Sequence, residues 1–284
     1  MIPAPFDYVV PSTVGEAVRV LTDAGEDAKV IAGGQSLLPV LRLRMAAPTT
    51  LIDLNRISEL RGVRDDGDAI VIGSMTTHHD IQRDPLIADH AELLAKATAT
   101  VADPQIRHRG TFGGSIAHAD PAGDLLAPAL ALDAEMVLHG MDGVRRVPAV
   151  EFFDDFFTTA MQPNEILTEV RVPKFTGWRA HYEKFNRVAQ AWSIVGVATT
   201  VRTEAGTIAE ARVGLTNMAS VPVRARAVEE ALVGQPATAE AIRAAAERAA
   251  EGTSPTADGN ADVEYRQHLA RVLTNRAVST AVAG

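Results

Sequence analysis

Cysteine is absent from the 284 residues of the chain. That excludes disulfides, thiolate zinc sites, a cysteine nucleophile and any cysteine-held iron–sulfur cluster on this polypeptide. Lysine is scarce: Lys29, Lys96, Lys174 and Lys184 are the four among 27 basic residues. Against 36 acidic residues the formal net charge is −9. A nucleic-acid binder needs a concentrated basic face, so that class is disfavoured. Long apolar runs are missing as well. The longest, 125–132, is fenced by Asp124 and Asp133 and interrupted by Pro128, far short of the ~20 residues of a membrane-spanning helix. The opening Met1-Ile2-Pro3-Ala4-Pro5-Phe6-Asp7 lacks the basic start and apolar stretch of a secretory signal, so a cytoplasmic protein is expected. No G-x-x-x-x-G-K-[ST] loop, no G-x-G-x-x-G between a strand and a helix, and no internal repeat occur. What remains, 46% hydrophobic and 22% charged, is the composition of an ordinary globular chain, long enough for one large domain or two to three smaller units.

The elements follow from pattern. Thr13-Val14-Gly15-Glu16 has capping-box spacing and precedes Ala17, Val18 and Leu21 on one helical face, with Gly25 placed to end the helix. Apolar runs at 28–32, 51–54 and 69–72 read as strands. Thr76-Thr77 caps a short helix that stops before Asp84-Pro85, and 91–101 reads as a longer one. The stretch 103–120 shows no period and is unusually long for a connection inside a compact domain, which marks it as a binding loop. Asp124 opens a helix to about Leu132, 136–139 and 144–147 form a hairpin, and 166–172 is a further strand. From Arg179 come three long strands, 179–186, 193–202 and 207–217, with a tight turn at Glu204-Ala205-Gly206. Helices at 225–233, 238–250 and 262–277 close the chain, and 252–259 reads as a mobile linker. Mixed elements followed by a meander and helices predict an α+β fold with a three-stranded antiparallel sheet in its last part.

Two glycine loops resemble one another: Ala32-Gly33-Gly34-Gln35-Ser36 and Thr111-Phe112-Gly113-Gly114-Ser115. Paired glycines permit positive φ and close backbone approach, so successive N–H groups can converge on an anion, and a neighbouring hydroxyl adds a donor. Two such loops can grip the two phosphates of a dinucleotide. One loop alone is better explained as a turn.

The flanks carry a family resemblance. Ala32-Gly33-Gly34-Gln35-Ser36-Leu37-Leu38-Pro39, then Gln105-Ile106-Arg107-His108-Arg109-Gly110-Thr111-Phe112-Gly113-Gly114-Ser115, with Val213 to Met218 and Tyr265 to Arg276, resemble the flavin-binding subunit of the molybdenum hydroxylases. The branch it resembles most is the medium subunit of aerobic carbon monoxide dehydrogenase, with the xanthine dehydrogenase flavin domain more distant. The resemblance covers the whole chain. It implies a two-part FAD-binding domain of PCMH/VAO type over 1–176, with subdomains of about 1–55 and 56–176, and a C-terminal domain of carbon monoxide dehydrogenase flavoprotein type over 177–284. By the same resemblance Ala32, Gly33, Gly34, Gln35 and Ser36, with Thr111, Gly113, Gly114 and Ser115, bind non-covalent FAD through its pyrophosphate. Asp124 accepts hydrogen bonds from cofactor hydroxyls or caps its helix. Val101 and Ala102 pack against the cofactor, and Leu167 and Lys184 are later flavin contacts. A lysine near the pyrimidine end of the ring stabilises negative charge on the reduced flavin, so Lys184→Met is expected to change the flavin more than the fold. Its alternative is a solvated strand lysine.

Gln35 stands where relatives often carry His and Ser115 where they often carry Asn, both keeping hydrogen-bonding capacity. Trp192 either stacks on the ring or packs in the interior. His78, His79, His108 and His118 show no i, i+4 ligand pairing, so no metal site is expected; His118 and Asp120 are expected to support the second loop. No catalytic acid–base pair is legible. The resemblance therefore implies an electron-transfer subunit of an oxidoreductase. A small partner would hold [2Fe–2S] clusters and a large one the molybdopterin cofactor, in a dimer of heterotrimers. Electrons would leave to an external acceptor such as a quinone, with peripheral membrane contact there and no nucleic-acid partner. The alternatives are a stand-alone flavin oxidoreductase of the same fold, a flavin subunit of a xanthine, aldehyde or N-heterocycle dehydrogenase, and a non-enzymatic nucleotide-binding protein.

Overall fold

The computed structural model describes residues 2–284. Its strands form four sheets. β1 (Asp7–Val9), β2 (Ala28–Ile31) and β3 (Thr50–Asp53) make a small parallel sheet with β3 in the middle. β4 (Val63–Asp65), β5 (Ala69–Gly73), β6 (Glu135–Gly140), β7 (Gly143–Pro148) and β10 (Ile166–Pro173) form an antiparallel sheet ordered β4-β5-β10-β6-β7. β8 (Phe153–Asp155) and β9 (Thr158–Thr159) pair locally. β11 (Arg179–Phe185), β12 (Val195–Glu204), β13 (Thr207–Thr216) and β14 (Val223–Arg224) form the last, antiparallel sheet. The helices are α1 (Val14–Ala24), α2 (Leu37–Arg42), α3 (His78–Ile81), α4 (Pro85–His90), α5 (Glu92–Ala99), α6 (Pro104–Arg107), α7 (Phe112–His118), α8 (Leu126–Ala131), α9 (Ala149–Phe152), α10 (Arg226–Leu232), α11 (Ala239–Ala246) and α12 (Val263–Ala283).

α1 starts where its cap demands. The Thr13 hydroxyl accepts from the Glu16 N–H, while the Glu16 carboxylate reaches one residue beyond the usual box and accepts from the N–H and hydroxyl of Ser12. Gly25 ends the helix at φ +68°, where a side chain would be strained. The apolar stripe Val14, Ala17, Val18 and Leu21 packs against the parallel sheet in a core of its own. A second core lies around the five-stranded sheet and α4, α5, α7 and α8. A third sits between the last sheet and α10–α12.

β12 shows how the two larger cores are joined. Val195, Val197 and Val201 face the C-terminal helices, whereas Gly196 and Ala198 face the other way. Small residues there let the sheet lie close to the preceding domain. A Cβ on Gly214 of β13 would stand 2.5 Å from the Ala127 carbonyl of α8. The seam is also hydrogen-bonded: Lys96 Nζ donates to Ala180 O at 2.6 Å, and the Ala180 N–H donates to Glu92 at 3.1 Å. β10 ends at Pro173 and β11 begins at Arg179, so the sheets change over within 174–178.

Four expectations are corrected. The stretch 103–120 holds α6 and α7, capped by Asp103 and Thr111; four and seven residues are too few to show a helical period. Asp124 does not cap α8, whose cap position is Leu125 with no side-chain bond. The three long strands are joined by a fourth, β14, two residues long. The 252–259 linker has no regular structure but is pinned, since the Ser254 N–H donates to Met218 O at 2.9 Å and Asp258 pairs with the buried Arg266 at 2.8 Å.

Candidate functional site

The first glycine loop leaves β2 at Ile31 and runs into α2 at Leu37. Gly34 sits at φ +73°, the left-handed region that favours glycine. Among the described residues, the backbone N–H groups of Gly33, Gly34, Gln35 and Ser36 donate to nothing within the chain. Four orphan donors in succession, converging on a cavity, form a nest that favours an anionic acceptor. The Gln35 side chain folds back to Gly33 O at 2.9 Å, so it braces the loop.

The second loop is built differently. Its glycine and serine amides are already used: Gly113 N–H donates to Ser74 O (2.9 Å), Gly114 N–H to Thr111 Oγ1 (3.2 Å) and Ser115 N–H to Thr111 O (3.1 Å). The loop is zipped against the segment following β5, with Phe112 N–H on Thr76 O and His78 N–H on Gly110 O. The expected symmetry of two amide cradles is thus corrected: the first loop offers backbone donors, and the second offers a bare glycine surface and the Ser115 hydroxyl.

The loops touch. A Cβ on Gly33 would lie 2.3 Å from Arg109 O and 2.7 Å from Gly110 Cα, and one on Gly114 would reach Ala32 Cβ at 3.6 Å. Together they line one cavity of about 610 Å³, in the range of small-molecule and cofactor sites. Of the sequence-derived residues, Ala32, Gly33, Gly34, Gln35, Ser36, Thr111, Gly113, Gly114, Ser115 and Leu167 line it. Apolar walls come from Leu37, Val40, Leu54, Met75, Met161 and Ile166. Ser74, His78, His118 and Glu165 line it too, and sequence reasoning gave Ser74 and Glu165 no role. The usable signal for Ser74 was its position, directly after an apolar strand, as Ala32-Gly33 is.

The polar groups of the cavity have distinct states. Ser74 Oγ and His78 Nδ1 are buried without a partner. Burial pushes His78 down to about 4, with the Arg107 charge adding, so its ring is neutral at neutral pH. Burial likewise lowers His118, opposed by Asp120. Asp120 itself folds its own turn, accepting from Ala122 N–H, and does not brace the second loop. Burial works against ionisation of Glu165, but Arg145 at 2.6 and 2.8 Å and the Gln162 N–H outweigh it, leaving the carboxyl below its usual range. His78 Nε2 lies 3.3 Å from Ser115 Oγ. No carboxylate holds its Nδ1, so the pair lacks the third group of a hydrolytic triad.

Val101, Ala102, Asp124 and Lys184 lie outside the cavity lining, and Asp124 and Lys184 meet each other instead. Lys184 Nζ bonds Asp124 Oδ2 at 2.7 Å and Thr100 O at 3.2 Å. Asp124 Oδ1 accepts from Tyr182 at 2.9 Å and Ser193 at 2.7 Å. The ion pair is buried, with side chains 6% and 4% exposed. Lys184 is therefore no solvated strand lysine. Burial raises the Asp124 pKa despite Lys184, and burial together with the Asp124 charge raises Tyr182 well above the usual phenol. Trp192, on the connection before β12, is half exposed and does not pack in the interior.

Residues 4–175 match the family model described as the FAD binding domain in molybdopterin dehydrogenase, and residues 180–281 match the carbon monoxide dehydrogenase flavoprotein C-terminal domain. The chain belongs to the FAD-binding subunits of the molybdopterin dehydrogenases. Among curated members it is 43% identical to the carbon monoxide dehydrogenase medium chain of Hydrogenophaga pseudoflava, over 99% of this chain and 98% of that one. It is 37% identical to subunit alpha of the 6-hydroxypseudooxynicotine dehydrogenase complex of Paenarthrobacter nicotinovorans, over 99% and 96%. Among solved structures, the Hydrogenophaga pseudoflava carbon monoxide dehydrogenase lacking the Mo-pyranopterin moiety of its molybdenum cofactor contains a chain that superposes with a TM-score of 0.96. That chain is 44% identical, with 100% of this chain and 99% of that one covered. The α+β FAD-binding architecture and the oxidoreductase-subunit character expected from the sequence are those of this family.

Proposed function

We propose that the chain is the FAD-carrying electron-transfer subunit of a molybdenum hydroxylase complex of the carbon monoxide dehydrogenase type. A small partner subunit holds [2Fe–2S] clusters and a large one holds the molybdopterin cofactor and oxidises substrate. This chain accepts electrons from the clusters and passes them to an external acceptor such as a quinone, in a cytoplasmic dimer of heterotrimers. The observation that carries this reading is the meeting of the two glycine loops over one cavity, with four successive free amides on one side.

The residues present fit FAD. Free N–H groups from Gly33 to Ser36 and the hydroxyls of Ser36 and Ser115 suit a diphosphate bridge. The missing Cβ atoms of Gly33 and Gly114 keep the loops in contact around it. Leu167 and the other apolar walls suit a flat ring system. When bound, FAD would supply a carrier that can take up electrons one at a time from the clusters and release them singly or as a pair to the acceptor. The protein binds it, orients it and excludes water. Val101, Ala102, Asp124 and Lys184 belong in this reading beside the ring end, with the Lys184 charge already balanced by Asp124. A cysteine-free chain needs its cluster on a partner.

A stand-alone flavin oxidoreductase would need a free base at the cavity. Glu165 is tied to Arg145, and His78 has no orienting acid. Substrate choice belongs to the large partner in this reading, which agrees with relatives named for carbon monoxide and for 6-hydroxypseudooxynicotine in one family. The test is purification of the tagged chain from its native host. Flavin absorbance, two co-purifying partner chains and dye reduction by substrate only in the assembled complex are expected. Turnover by the isolated chain, or a colourless chain that ignores added FAD, refutes the reading.

A further inference from the structure

Resting on the FAD reading above, we propose that His78 is a positioning residue for the flavin diphosphate: it holds the Ser115 hydroxyl so that its hydrogen points into the cavity.

Geometry and the cost of orphan groups lead there. His78 follows β5, is 3% exposed, and is locked by its own N–H on Gly110 O at 3.0 Å. Its ring lies directly beneath Gly110, where a Cβ would stand 2.8 Å from His78 Cδ2. One ring nitrogen, Nε2, lies 3.3 Å from Ser115 Oγ; the other, Nδ1, is buried with no partner. A neutral imidazole carries one hydrogen. On Nδ1, that hydrogen would be a buried, unpaired donor, which folded proteins strongly avoid. Ser115 would then have to donate to Nε2, and its hydrogen would be lost to a ligand. On Nε2, the only orphan is an acceptor lone pair, the milder penalty, and Nε2–H donates to Ser115 Oγ. The serine hydrogen is then free.

The cavity supplies the reason for that arrangement. The amides of Phe112, Gly113, Gly114 and Ser115 are consumed inside α7 and against Ser74 and Thr76. Ser115 Oγ is thus a donor this loop keeps on its cavity side, opposite the free amides of 33–36. A hydroxyl donating to a phosphate oxygen makes a charge-assisted bond, stronger than a neutral one. Nothing in this step transfers a proton; His78 sets which way a hydroxyl points.

The decisive experiment has two readouts on the full-length chain. Long-range ¹H–¹⁵N NMR of the imidazoles in apo protein should show His78 neutral near pH 7 with its hydrogen on Nε2; a hydrogen on Nδ1 overturns the proposal. FAD titration, followed by flavin fluorescence, should show Ser115→Ala and His78→Met each weakening binding about 10-fold. The double variant should be no weaker than either single one, because both remove the same bond. His78→Gln, which keeps a donor at the same reach, should bind within about twofold of the parent. Multiplying effects in the double variant, or His78→Gln as weak as His78→Met, overturns the role. If His78→Met does not fold, the NMR measurement and His78→Gln still decide. A parent chain that binds no FAD refutes the underlying reading, whereas a parent that binds FAD with unaffected His78 variants refutes this inference alone.

Discussion

Alanine at position 33 would test the contact between the loops directly. Its Cβ would fall 2.3 Å from Arg109 O, 2.7 Å from Gly110 Cα and 2.9 Å from Arg109 C. All three are backbone atoms, so no side chain can swing aside. Relief to ordinary contact needs the loops to separate by about 1 Å. Overpacking of that kind costs about 1–3 kcal/mol. Part falls on stability and part on the cofactor, because the free amides of 33–36 move away from the Ser115 side of the cavity. With an even split, FAD affinity should fall by about 2- to 12-fold, and thermal unfolding should move down by a few degrees, at about 2–4 °C per kcal/mol for a chain of this size. Gly15→Ala is the control, since no atom lies within 4 Å of its Cβ and Gly15 is helical. It should leave FAD binding alone and stabilise by about 0.5 kcal/mol. Flavin-fluorescence titration with differential scanning calorimetry reads both quantities. An alanine-33 protein with unchanged affinity and melting temperature would show that the loops are not held together as described.

Lys184→Met should lose about 3–5 kcal/mol in urea unfolding, because it leaves Asp124 buried and unpaired; adding Asp124→Leu should restore most of it. This reverses the expectation that the substitution acts on the flavin before the fold, and a stable Lys184→Met protein would refute the reversal. A pH effect follows from His78. The unfolded imidazole titrates near about 6.5, whereas the folded one is pushed down to about 4. Between those values the unfolded chain binds the extra proton, so stability should fall as pH drops from about 6.5 to about 4, by up to about 3 kcal/mol. Urea midpoints at pH 7, 5.5 and 4.5 should show a shallower fall in His78→Gln than in the parent; equal slopes would reject the burial argument. Gly34→Val should abolish FAD binding, since φ +73° excludes a β-branched residue; retained flavin occupancy would remove the first loop from the site.

Several elements were legible because their signals are local. Thr13, Glu16 and Gly25 bracket α1, and β13 follows β12 through a turn with Ala205 and Gly206 both at positive φ. The Gly-Gly pairs announced the first loop for the same reason: φ +73° at Gly34 is a property of one residue. α6 and α7 were hidden because a helix of one or two turns has no period to detect. β14 was hidden because two residues carry no alternation.

Local chemistry, written residue by residue, determined what kind of loops the chain possesses, where several of its helices and strands begin and end, and that no iron–sulfur cluster is held by its own cysteines. Tertiary structure alone decided which donors remain available. The Gly113 amide looks equivalent to those of Gly33 and Gly34 in the sequence, and only the fold brings Ser74 to satisfy it, whereas Gly114 is satisfied locally by Thr111, the cap of α7. Likewise Asp124 and Lys184 are 60 positions apart and meet because β11 lies against the first domain. Hydrogen-bond satisfaction and charge pairing depend on neighbours in space, and no stretch of sequence contains them.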